Sequence, residues 1–289
     1  VKDDLALQAG KPTAAEAPEL ARRRWLPPVL LVLALLAAWE LLKALFRIPD
    51  YKLPHVWDVL AQFGVRTQGG SGPPWGVIML RNAAITFGEA LTGFALGGML
   101  GVLLAVLFAS SRLLERGCLP FVVGSQLVPI LAIAPMVVIG LGVLRVSAWF
   151  SIATIAAYLT FFPVTIGMLR GLRAVPPDAL ALMRSYAATS GQVFWKLRMP
   201  AALPYLFTSL KIAATASVIG AIVGELPSGT PNGIGPMIVN AAQYYNSSPP
   251  NLWATVLAAS LIGLLFYGLV ALVEWLAVHG RAGHDDTMT

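Results

Sequence analysis

Six long apolar stretches govern what this chain can fold into. They run Pro27–Phe46, Ala83–Ala109, Leu119–Val143, Ser147–Leu169, Leu203–Gly224 and Leu252–Val278. About 20 apolar residues carry a helix across a hydrocarbon core of about 30 Å. Backbone polar groups inside that core must be satisfied within the protein, which favours helices. Charged residues make up 12% of the 289-residue chain, against roughly 25% in soluble domains. The expected fold class is an all-α integral membrane protein with six transmembrane helices and no sizeable soluble domain.

Loop charge orients the spans. An inside N-terminus puts thirteen lysines and arginines on the cytoplasmic side (Lys2, Lys11, Arg22, Arg23, Arg24, Arg112, Arg116, Arg170, Arg173, Arg184, Lys196, Arg198 and Arg281). Five fall outside (Arg47, Lys52, Arg66, Arg81 and Arg145), while Lys43 and Lys211 lie within spans. Both termini are therefore expected in the cytoplasm, and the net charge of +6 needs no nucleic-acid partner. Cys118 is the single cysteine, which excludes an internal disulfide or a metal-binding cysteine pair. It reads as a small buried residue at the inner end of the third span. Residues 1–21 have the composition of a disordered tail. Arg22-Arg23-Arg24-Trp25 precedes an apolar run as a signal peptide would. That run is span-length, lacks a convincing small-residue cleavage site and is followed by five more spans, so a retained helix is expected.

The loops carry turn chemistry. The first, Arg47–Leu80, is rich in proline and glycine; its middle, His55–Phe63, suits a short interfacial helix with Trp57 and Trp75 as headgroup anchors. Gly88, Gly93, Gly97, Gly98 and Gly101 stud the second span, where small residues allow close helix approach. Pro120, Pro129 and Pro135 predict a kinked or broken third span. In the last external loop, the run Gly229–Pro236 is turn chemistry rather than a phosphate loop, because it has no lysine. Met237–Tyr244 after it predicts a short re-entrant or surface helix.

The segment 175–200 is too polar and proline-punctuated to span. Pro176-Pro177 suits a helix start, and Asp178 sits at the positive end of that helix's dipole. Ala179, Leu182, Met183 and Tyr186 recur at i, i+3, i+4 and i+7 as one apolar stripe. Gly191 or the Thr189-Ser190 pair ends this helix and caps a second, Gln192–Arg198, before Pro200 and Pro204. Periodicity alone fits either a helix lying in a partner's groove or one resting on lipid headgroups.

The same segment resembles the cytoplasmic coupling loop of ABC importer permeases, whose signature runs Glu-Ala-Ala, three residues, Gly, nine residues, Ile-x-Leu-Pro. Ala181-Leu182-Met183 occupies the first block, Ala187 stands six after Ala181, and Leu197-Arg198-Met199-Pro200 begins ten after Ala187. Arg184-Ser185-Tyr186, Phe194-Trp195-Lys196 and Pro200-Ala201-Ala202-Leu203-Pro204 look like the nitrate/sulfonate/taurine branch. The resemblance covers roughly residues 80–280. The signature glutamate is replaced by Ala181 and its glycine by Ala187. Alanine disfavours a left-handed turn by about 1 kcal/mol, so the turn is expected near Gly191 rather than at Ala187.

This resemblance implies a type I ABC importer (MetI-like) permease fold. Residues 1–24 would be a cytoplasmic tail, 25–80 a first helix with a periplasmic loop, 81–280 the permease core with its coupling loop at 170–202, and 281–289 a second tail. The coupling residues would be Asp178, Ala179, Ala181, Leu182, Met183, Arg184, Tyr186, Ala187, Gly191, Leu197, Arg198, Met199 and Pro200. Implied partners are two cytoplasmic ATPase subunits that bind ATP and magnesium, a second permease subunit, identical to this one, and an external substrate-binding protein. Independently, the chain has no G-x-x-x-x-G-K-[ST] pattern, so ATP hydrolysis belongs to another chain. The implied cargo is a small solute: a sulfonate-, taurine- or nitrate-like anion, or a vitamin precursor.

Ionisable residues in spans are functional candidates. Glu40, beside Lys43 and Arg47 near the outer end of the first span, is expected to snorkel or to pair there, and Lys211 to reach the surface. Glu89 and Glu225 are candidates for the pathway or its outer gate; otherwise Glu89 pairs with Arg81 or a neighbouring helix. Gln126, Thr160, Thr208, Thr215 and Ser217 offer a polar route, although such hydroxyls also bond their own backbone. An ion-coupled secondary transporter is the alternative, requiring midplane carboxylates. No catalytic constellation or metal-ligand set points to an enzyme.

Overall fold

A computed structural model describes residues 16–285, with side chains described for 26–277. The regular structure among the described residues is helical. Five helices are long and apolar enough to cross a membrane, and one pair of shorter helices, bent by 97°, passes the same test of length and composition when taken together. The chain divides into two compact units, residues 1–61 and 62–289.

The first unit holds α1 (Glu16–Leu45) and α2 (Val56–Ala61). Helix α1 begins within the expected tail, so residues 16–24 are helical; residues 1–15 lie outside the described residues. Arg47 closes α1 with a φ of 47°, its amide bonding Ala44 O and the next amide, of Ile48, bonding Lys43 O. That is a Schellman turn. The loop then folds back on α1. Trp39 Nε1 donates to Pro54 O at 3.2 Å, Val56 N donates to Glu40 Oε1 at 2.9 Å, and His55 Nδ1 lies 2.7 Å from Glu40 Oε2. Lys43 Nζ reaches Asp50 at 2.6 Å and holds that carboxyl below the usual carboxylate range. Glu40 and Lys43 therefore pair with the returning loop rather than with each other, which helical spacing alone does not reveal.

The second unit contains α3 (Trp75–Ser110), α4 (Arg112–Ser125), α5 (Ile130–Val143) and α6 (Ala148–Arg173). There follow α7 (Pro177–Ser185), α8 (Ser190–Val193), a π turn (Phe194–Arg198), α9 (Met199–Glu225), α10 (Ile234–Gln243) and α11 (Pro249–Asp285). Helix α6 is gripped between α3 and α9. Gly93, Gly97 and Gly101 lie against Ala156, Ala157, Phe161 and Val164 of α6 so closely that a Cβ at any of them would overlap its neighbour. Gly167 and Gly171 play the same part toward α9, against Ser209 and Ala202. Gly98 takes no part; its nearest neighbour is Leu210 at 4.0 Å. In lipid, close packing replaces the hydrophobic drive between helices, so this stripe sets the geometry of the unit. One buried cluster centres on Ile152, Val218, Ile234 and Phe266, and a second on Phe108, Met168 and Leu172.

The third span breaks as expected: α4 and α5 meet at 97° across Gln126–Pro129. Pro129 lacks an N–H and bars Val128 from helical geometry. Cys118, on α4, is exposed rather than buried, because the bend turns that part of the span out of the helix bundle. The short helix α10 begins three residues before its predicted start, and α11 runs through residues 281–285 of the expected tail. Residues 286–289 lie outside the described residues.

Candidate functional site

Two structured regions lie at opposite ends of α9. At its N-terminal end, Pro176 and Pro177 open α7, with Asp178 in the first turn and Arg184 in the last. Helix α7 closes in a Schellman turn: Ala187 N bonds Arg184 O at 2.9 Å, and Ala188 N bonds Met183 O at 3.0 Å. The residue in the left-handed position is Ala187, with φ 52°. The turn expected at Gly191 is thus at Ala187, where the signature has glycine. Two satisfied carbonyls offset the strain of roughly 1 kcal/mol. Gly191 lies within α8, which starts at once with a capping box: Gln192 N donates to Thr189 Oγ1 and Thr189 N to Gln192 Oε1, at 3.3 and 2.8 Å.

The stripe divides on folding. Leu182 and Tyr186 remain 57% and 77% exposed, whereas Ala179 and Met183 are half-buried. Ala181 and Asp178 also face out. Trp195 is exposed as well, its ring edge-on to Phe194 at 5.2 Å. Phe194 and Met199 pack into the Phe108–Met168–Leu172 cluster and anchor the turn, while Leu197 and Arg198 are half-buried.

The helix beginning at Ser190 does not stop at Pro200. It continues to Glu225 as one 36-residue span, about 54 Å at 1.5 Å per residue. Pro200 and Pro204 cannot donate to the carbonyls four residues back. The chain answers with a π turn, in which Met199 N bonds Phe194 O.

At the far end, Glu225 is almost fully buried. Its Oε1 accepts from Thr86 Oγ1 at 2.5 Å and its Oε2 from Gly235 N at 2.5 Å. Thr86 Oγ1 also accepts from Ile234 N at 2.9 Å, and Asn82 Oδ1 accepts from Gly233 N at 2.7 Å. Three successive amides at the start of α10 are thereby held by α3 and α9, with the carboxylate at the positive end of the α10 dipole. Gly233, at φ 112°, is packed against the Glu225 carboxyl and leaves no space for a Cβ. Glu89 is buried beside this clamp and its carboxyl contacts that of Glu225. Its Oε2 has no partner among the described residues.

The structure therefore gathers Glu89 and Glu225 and gives the other polar candidates local partners. Thr160 and Ser217 are fully buried and bond the carbonyls of Ala156 and Ala214. Thr208 and Thr215 bond Pro204 O and Ile212 O on partly open faces. Gln126 lies half-buried at the α4–α5 break, beside Ser125. Lys211 does not reach for the surface; it pairs with Glu274 of α11 at 2.7 Å. Asn82, Thr86 and Glu274 were not singled out by sequence. Asn82, Thr86 and Glu89 do share one face of α3, a polar stripe that spacing could have revealed. The described residues hold no group of three His, Cys, Asp or Glu side chains suited to a metal.

Comparison with known proteins adds a second line of observation. Residues 97–275 match the family described as binding-protein-dependent transport system inner membrane component. The formylaminopyrimidine transport permease protein ThiX of Halalkalibacterium halodurans is 30% identical over 249 residues, 86% of this chain and 93% of that protein. The putative aliphatic sulfonates transport permease protein SsuC of Bacillus subtilis is 27% identical, over 89% of this chain and 88% of its own. Among solved structures, the crystal structure of an amino acid ABC transporter with histidines superposes with a TM-score of 0.58 at 16% identity. It covers 69% of this chain and 94% of that one, a likeness of fold.

Proposed function

We propose that this chain, which belongs to the binding-protein-dependent transport system inner membrane component family, is the subunit through which an ATP-driven importer passes its cargo. As an ABC transporter permease it is a multi-pass inner-membrane protein and not an enzyme. ATP and magnesium would be bound by two separate ATPase subunits on the cytoplasmic side, which is the side of α7 and α8. A second copy of this chain and an external substrate-binding protein would complete the assembly. The cargo would be a small solute of the kinds named for its relatives, an aliphatic sulfonate, a formylaminopyrimidine or a nitrate-like anion.

The observation that carries this reading is the α7–α8 turn. It exposes Leu182, Tyr186 and Trp195 on a capped, core-anchored support, and that support continues unbroken into a spanning helix. Apolar side chains on a rigid turn fit a partner's groove, and a continuous helix carries the displacement into the membrane. Here Ala181 supplies no charge, so the apolar pair provides the contact. An ion-coupled transporter is disfavoured because Glu89 and Glu225 are sealed within the protomer. We propose Gln126, Thr208 and Thr215, at positions that are not buried, as the remaining pathway candidates.

The test uses the reconstituted complex. Leu182→Asp with Tyr186→Asp should leave membrane insertion intact and reduce ATPase stimulation by loaded binding protein to background. Undiminished stimulation would contradict the docking role.

A further inference from the structure

A groove of about 1010 Å³ opens between α4, the end of α6 and the α7 turn. It matches the upper range of small-ligand pockets, about 300–1,000 Å³, yet its lining is graded rather than convergent. One face of α4 forms the near wall. Arg112 and Arg116 lie toward its start, followed on the same face by Leu119 and Val123 at helical spacing, and Leu127, in the turn after α4, continues the wall. Leu172 and Leu180 extend the apolar wall opposite, and Arg198 adds a cation from the π turn. The only carboxylate in the lining, Glu115, is engaged by both terminal nitrogens of Arg173. Arg112, Arg116 and Arg198 form no ion pair among the described residues. With four arginines in its lining against one carboxylate, the site thus offers net positive charge at one end and aliphatic surface at the other. Leu127, at its apolar end, is 82% exposed.

We propose that this groove binds one anionic phospholipid, with its phosphodiester between Arg112, Arg116 and Arg198 and an acyl chain along Leu119, Val123 and Leu127. A zwitterionic lipid would bring its own cation against the arginines. A free anion would leave the aliphatic wall uncovered. Arginine suits the phosphate because its planar fork of donors matches the oxygens. Helix α4 has the character of an interfacial helix, charged at one end and lying at a sharp angle to α5. A second cavity of about 690 Å³ shares Ala109, Leu180 and Arg198 with the groove and is lined by α7 and α8. A lipid in the first therefore touches the support of the docking turn. The leaflet is assigned by the proposed orientation; the binding site itself is independent of transport.

The test needs only the purified full-length permease. Protein in nanodiscs containing phosphatidylglycerol and phosphatidylcholine is taken into detergent, and retained lipid is counted by native mass spectrometry. Wild type should keep one phosphatidylglycerol. Arg112→Gln with Arg116→Gln should weaken retention by about thirtyfold, from roughly fivefold per arginine near an anionic surface. Val123→Trp, which blocks the apolar end without altering charge, should weaken it too. Arg170→Gln with Lys196→Gln removes equal charge outside the groove and should change nothing. Thermal melts identify any variant that fails to fold, leaving the other to decide. Equal loss in the control pair, equal retention of phosphatidylcholine, or displacement by inorganic phosphate alone would overturn the proposal. None of these outcomes bears on ATPase coupling, so this proposal and the transport reading fail separately.

Discussion

Among the described residues, three helices end on a left-handed residue that is not glycine: Arg47, Arg145 and Ala187. Each gives the paired amide-to-carbonyl bonds of a Schellman turn, and the turns at Arg47 and Arg145 also place a charge at a helix end. Ala187 has no such compensation, and a methyl group in that conformation costs about 1 kcal/mol. Ala187→Gly should therefore tighten the turn between α7 and α8 and raise the midpoint of thermal unfolding, by up to about 1 kcal/mol less the entropy that glycine adds to the unfolded chain. A melt in detergent reads this directly; a lowered midpoint would show that the alanine side chain is packed rather than strained. Spacing identified position 187 as the signature site, but the choice between 187 and 191 could not be made from propensity. Propensity weighs a residue's own strain and omits the two carbonyls that a Schellman turn satisfies. The Glu225 clamp was illegible for a different reason. Its partners lie 139 and 151 residues apart in sequence, and only the assembled α3, α9 and α10 bring them together.

At the scale of helices, the glycine face of α3 and the break at Pro129 were both readable, because each follows from a local property: the lack of a side chain in one, the lack of an N–H in the other. Packing then decides which small residues matter. Gly97 faces Ala157 and Thr160 without space for a Cβ, whereas a Cβ on the adjacent, buried Gly98 would meet only Leu210, at 4.0 Å. Gly97→Ala should destabilise the bundle by about 1–3 kcal/mol through forced separation of α3 and α6, while Gly98→Ala should be nearly neutral. Detergent melts of the pair make the comparison, and equal midpoints would contradict the close-approach account. The proline pair at 200 and 204 was misread as a boundary. In the folded chain a π turn precedes Pro200, Pro204 is taken inside the following helix, and the helix continues. Proline marks a break at 129 because Val128 and Pro129 lie in an open turn. It does not do so at 200, where Phe194 and Met199 before it and Ala202 after it pack into the core.

Across the whole molecule, the helix from Ser190 to Glu225 joins the two regions that carry the functional reading. One end bears the apolar turn offered to a partner; the other holds the start of α10 through Glu225. Displacing such a helix along its axis or tilting it would strain the Glu225–Thr86–Gly235 bonds, so docking at one face would loosen the clamp at the other. Buried side chains in two discrete arrangements are the physical basis of that kind of coupling. Hydrogen exchange in the reconstituted complex, with and without ATP bound by the ATPase subunits, measures both ends together. The account predicts that ATP slows exchange at residues 182–188 and, in the same sample, speeds exchange of the Gly233, Ile234 and Gly235 amides. Protection of 182–188 with unchanged exchange at 233–235 would contradict it.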